Sequence, residues 1–192
     1  MNYTLRLQNQ ATVEKWAWRY MLTLTPKDRA EECTIDLIVG PAAKNNGFYT
    51  REEFVAVCNW KSSRRKELPG QNDGQSIREV TALSLSTQLE WLRIESLTLL
   101  DGVEWPTASA LLHFGHRDRY PIMDVNALWS LTIEEPPSYG FSFWMEYVQI
   151  CRDLATQFSL SMRVLDRALY QYGKENRPRT PRKLKKPRAK PQ

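Results

Sequence analysis

Apolar residues return every three or four positions along most of this chain, the spacing of one face of an α-helix. Over 11–24, Val13, Trp16, Ala17, Tyr20, Met21 and Leu24 form such a face, and Pro26 stops it. Thr50 followed by Arg51, Glu52 and Glu53 predicts an N-cap with acids in the first turn, opening a helix through Phe54, Val55, Val57, Cys58 and Trp60. Further helices are predicted at 76–85, 87–95, 125–131, 141–158 and 161–172, and the Pro136-Pro137 pair separates the third of these from the fourth. Two stretches read differently. Residues 34–39 alternate weakly, as a short strand or an irregular buried run, and Gly40, Pro41, Asn45, Asn46 and Gly47 then predict a loop. The polar, turn-rich stretch 62–74 also breaks the periodicity. A mostly α fold of about seven to nine helices in a single domain is the economical reading.

Composition narrows the class without changing that picture. At 192 residues, 42% hydrophobic and 26% charged, the chain suits one globular domain, with a monomer as the default expectation. No apolar run is long enough to span a bilayer and residues 1–10 lack a signal-peptide core, so no membrane partner and a cytoplasmic location are expected. Cys33, Cys58 and Cys151 lie far apart, which gives neither a closed disulfide set nor the four thiolates of an iron-sulfur cluster; core packing is their expected role. His113 and His116 stand apart from other ligand-type residues, so neither a metal nor any other cofactor is expected.

Charge divides the chain in two. Of 27 Lys and Arg and 22 Asp and Glu, nine bases and one acid fall from Lys174 onward, leaving 18 bases against 21 acids in the body. The division predicts a helical domain over 1–173 and a disordered, proline-rich basic tail over 174–192. Lys183, Lys185 and Lys186 in that tail are candidates for binding nucleic-acid phosphates, with a merely solubilising tail as the alternative.

The stretch 97–131 carries the chemistry. Gly102 separates the apolar end Leu99-Leu100 from a new helix that Pro106 can start; Leu100 and Val103 are spaced to plug a tight turn, and Ala108, Ser109 and Ala110 allow close packing. The free amides at such a helix start can hold a phosphate oxygen. A loop over 117–124 follows and ends in Asp124, whose alternative reading is an N-cap for Val125 onward.

This stretch resembles the helix-hairpin-helix/Gly-Pro-Asp superfamily of base-excision DNA glycosylases. The matches are Leu100, Gly102, Val103, Thr107 and Ala108, then Pro121-Ile122-Met123-Asp124. Pro106 stands where the family's lysine falls, and Asp124 follows it by the family's eighteen residues. The resemblance implies a hairpin over 97–116 that contacts DNA backbone through Gly102, Val103, Glu104 and Thr107, with Asp124 as the carboxylate stabilising an oxocarbenium-like transition state. Because Pro106 has no amine, it implies an enzyme that hydrolyses with water and lacks the lyase step from that position. For the flipped base, Tyr120, Trp60, Lys61, Arg64 and Trp129 are candidate pocket or channel residues, each with core packing or a solvated loop as its alternative. Two departures stand out. Glu104 replaces the second glycine of the family pattern and Asp101 the proline before the first, placing two acids beside the phosphate site, with strain added if Glu104 needs a positive φ. A catalytically inactive binder of nucleic acid or of a protein partner is therefore the competing expectation.

Overall fold

The fold is set by side-chain caps that start helices where the apolar periodicity begins. The computed structural model describes residues 2–62, 66–136 and 138–178. Asn9 caps α1 (Gln10–Thr23), Thr25 caps α2 (Pro26–Thr34), and Thr50 opens α4 (Arg51–Lys61) through a reciprocal capping box with Glu53. Asp73 caps α5 (Gly74–Ser86), which is followed by α6 (Glu90–Leu97) and α7 (Trp105–Gly115). Asp124 caps α8 (Val125–Ser130), α9 spans Phe141–Gln157, and Ser161 caps α10 (Met162–Asn176). No strand occurs among the described residues, and no helix among them is long and apolar enough to cross a membrane.

The strand or irregular run expected at 34–39 is helical, and so is the loop expected at 40–47 up to Asn46. Residues Ile35–Val39 form a π-helical turn that joins α2 to α3 (Gly40–Asn46). The Gly40 amide bonds the Ile35 carbonyl five residues back. The wider turn places Pro41 in the first turn of α3, where its missing N–H costs no helical bond. The breakers Gly40 and Pro41 therefore re-register one helical run instead of ending it, and Gly47, at φ +75°, makes the actual stop.

α7 is the central helix, buried from Thr107 to Gly115, with α3, α4 and α6 packed on it. α10 is the second axis, carrying α1 along one side and α8 along another. The approach of α8 is close enough that a Cβ on Gly173 would lie 2.1 Å from the Asn126 carbonyl oxygen. α10 also runs past the expected end at Tyr172, across the expected start of the tail at Lys174, and its last turn places Glu175 2.7 Å from Arg19 of α1. The start of α8, and with it Asp124, is thus set by backbone packing against α10.

Candidate functional site

The turn between α6 and α7 is plugged from inside and clasped from outside. Leu97, Leu100 and Val103 are buried, and Gly102 sits at φ +80° with Pro69 and Leu68 against its α-carbon, where a side chain would clash. Asn72 clasps the turn: its Oδ1 accepts from the Asp101 amide at 2.8 Å and its Nδ2 donates to the Asp101 carbonyl at 3.0 Å. The Val103 amide donates to Leu100 and the Thr107 amide to Glu104, at 3.1 and 2.8 Å. Of the expected phosphate contacts, Val103 and Thr107 are therefore buried with their amides already bonded. Glu104 adopts an extended φ of −107°, so the strain considered for a glycine-like position does not arise.

The loop 117–124 is held by polar side chains instead. His113 Nδ1 lies 2.7 Å from the Tyr120 carbonyl and so carries a proton toward it; burial, and secondarily the Arg163 charge, depress its pKa to about 3 and keep the ring neutral. Asp166 Oδ1 accepts from the Ile122 amide at 3.1 Å, while the Tyr147 hydroxyl donates to the Ile122 carbonyl at 3.0 Å. Ser109 Oγ accepts from the Met123 amide at 2.8 Å and donates to Pro106. Four buried side chains on α7, α9 and α10 thus fix successive peptide groups and leave Asp124 at the end of a rigid arm. Its Oδ1 accepts from the Asn126 amide at 2.8 Å, and its Oδ2 accepts from Lys61 Nζ at 3.1 Å. The cap expected of Asp124 is present, and it occupies only one of the two oxygens.

Two hollows meet at this pair. A cavity of about 290 Å³ is lined by Trp60, Lys61, Ile122 and Asp124 together with Tyr20, Tyr170, Arg163, Asp166 and Arg167. An open groove of about 520 Å³ is lined by Lys61, Ser62, Gly102, Glu104, Pro106, Thr107, Asp124 and Tyr139. Lys61 and Asp124 line both, with side chains 10% and 21% exposed. The structure therefore brings Asp124, Lys61 and Trp60 together and runs the turn residues Gly102, Glu104 and Thr107 along the adjoining groove.

It does not bring Tyr120 or Trp129 to either hollow. Tyr120 is completely buried, stacks on Trp144 and donates its hydroxyl to Glu90 at 2.7 Å, so it belongs to the core despite its nearness to Asp124 in sequence. Trp129 stacks on Tyr172 beneath Arg6 and lines a separate surface hollow. Arg64, Lys183, Lys185 and Lys186 lie outside the described residues.

Several lining residues escaped the sequence reading. Asp166 is buried, which raises its pKa to about 6 against the opposing charges of Arg163 and Lys61. Arg163 bonds Asp166 at 2.7 Å and also reaches Glu32; Arg167 bonds Glu32 at 2.7 Å, and the Tyr20 hydroxyl bonds Glu32 at 2.9 Å. Arg163 Nε is buried with no acceptor among the described residues. The available signal was the recurrence of Arg163, Asp166, Arg167 and Tyr170 at helical spacing beside the apolar face of α10. No cluster suited to a metal ion occurs among the described residues.

A carboxylate with a free lone pair, an amine on its second oxygen and an aromatic-walled cavity beside it can stabilise a developing cation and orient a nucleophile. Comparison with protein-family models, with curated proteins and with solved structures returns no match.

Proposed function

We propose that this protein is a DNA N-glycosylase that hydrolyses the glycosidic bond of a damaged or modified base, with Asp124 as the catalytic carboxylate. The observation that carries this reading is the position of Asp124: the end of a braced loop, at the junction of the groove beside the turn and the aromatic cavity. In this reading the groove takes the strand, the base turns into the cavity beside Trp60 and Tyr170, and Asp124 stabilises the positive charge that builds on the sugar. Pro106 leaves α7 without an amine, so the turn itself supports attack by water alone. The tail lysines Lys183, Lys185 and Lys186 supply sequence-independent phosphate affinity, which predicts binding that weakens steeply with salt.

The test is a panel of duplexes, each with one modified or damaged base, incubated with the full chain and assayed for released base by mass spectrometry. Release from at least one duplex is expected; none from any would overturn the reading. A second reading, a non-catalytic nucleic-acid or partner binder, is favoured by the two acids at the turn and by the amides of Asp101 and Val103, which are already bonded within the protein. Duplex binding that disappears when 179–192 is removed, which leaves α10 whole, with no product from any substrate, would select it.

A further inference from the structure

We infer that Lys61 is an amine nucleophile of this site, forming an imine with the sugar C1′ and giving the protein a strand-nicking activity in addition to hydrolysis; this rests on the glycosylase reading above. Lys61 is the last residue of α4, far from the turn in sequence. Its Nζ lies 3.1 Å from Asp124 Oδ2, and it lines both the cavity and the groove. The other cations of the cavity serve elsewhere. Arg163 and Arg167 are tied to Glu32, Asp36 and Asp166, and guanidinium groups keep their protons; Lys174 Nζ sits over the Tyr170 ring at 5.5 Å. Lys61 is therefore the amine in direct contact with the carboxylate that faces the sugar, largely withdrawn from water and within proton-transfer distance of an acceptor.

The protons balance through Asp124. Its carboxylate takes a proton from the Lys61 ammonium, and the freed amine lone pair attacks C1′ as the C1′–N bond breaks with its electron pair going to the base, which leaves with the proton held by Asp124. The secondary ammonium then passes a proton through Asp124 to O4′ while the C1′–O4′ bond breaks, leaving an iminium between Nζ and C1′ and a hydroxyl at C4′. Loss of a C2′ proton to Asp124 and cleavage of the C3′–O bond release the 3′ phosphate and nick the strand, and water returns the amine.

The test uses the full chain and a duplex carrying one preformed abasic site, with cyanoborohydride to reduce any imine and peptide mapping to locate it. A stable adduct on Lys61 is expected in the unaltered protein. Lys61→Arg, which keeps the charge beside Asp124, is expected to reduce adduct at least tenfold. No adduct, or adduct confined to other lysines, overturns the proposal. Because the probe needs no base removal, a missing Lys61 adduct with base release still observed rejects this inference alone. A Lys61 adduct with no base released from any duplex keeps the amine and removes the glycosylase reading.

Discussion

The turn over 98–104 and the loop over 117–124 lie on either side of α7, and they are stabilised in opposite ways. Apolar plugs at Leu100 and Val103 and one external clasp, Asn72, hold the turn, and its outward positions carry Asp101 and Glu104. The loop is held by hydrogen bonds donated by His113 and Tyr147 and accepted by Ser109 and Asp166, all buried, each of which leaves an unpaired polar group if removed. Surface chemistry is thus tolerant at the turn and intolerant beneath the loop. A residue such as Ser109, which does not line the Asp124 hollows, has more authority over Asp124 than Glu104, which lines the same groove.

Changes that break the loop's support set the largest effects. Gly173→Ala places a methyl on the Asn126 carbonyl and pushes α8 off α10; a loss of about 3 kcal/mol is expected in urea unfolding, at the upper end for overpacking. Ser109→Ala removes the acceptor for the Met123 amide, and a loss of about 1 to 3 kcal/mol is expected, with base release falling by more than stability alone explains. Proton linkage comes next. His113, held near 3 against an ordinary 6.5, contributes stability that is full above pH 6.5 and lost as pH falls below it. His116, held at about 4 by burial and the Arg93 charge, acts in the same direction. Asp166, raised to about 6, contributes in the opposite sense: its share is full below about pH 4 and lost as pH rises through 6. The two histidines outweigh one aspartate, so the urea midpoint falls between pH 7 and pH 5, and His113→Asn, which keeps a donor for Tyr120, makes that fall shallower. The smallest stability effect belongs to the turn. Asp101→Asn, at an exposed position of the turn, is expected to change stability by less than about 0.5 kcal/mol and to tighten duplex binding severalfold at low salt, an advantage lost at high salt. A large destabilisation by Asp101→Asn would break the contrast.

Legibility in the sequence follows the same division. Helices with a clean apolar face and a Ser, Thr, Asp or Asn cap were readable, as were the turn, its Gly102 and the position of Asp124, because each depends on residues close in the chain. What depended on distant partners was not. Gly40 and Pro41 looked like a loop, yet Gly40 is small because its α-carbon meets Phe114 of α7, and the π-turn before it absorbs the proline. Tyr120 looked like a pocket residue from its proximity to Asp124, but the loop turns it toward Glu90 and Trp144. Asp166 lies 44 residues from the Ile122 amide it accepts, so only the packing of α10 against the loop reveals it.

The central claim, that the rigid loop exists to hold a reacting carboxylate and not merely to cap α8, is tested most directly by base release from a cleavable duplex under single-turnover conditions, comparing the unaltered chain with Asp124→Asn. Asparagine caps a helix about as well as aspartate, so the fold and the thermal midpoint are expected to persist. The account predicts a fall in the rate of base release of about 100-fold or more. Full activity in a folded Asp124→Asn protein would contradict it.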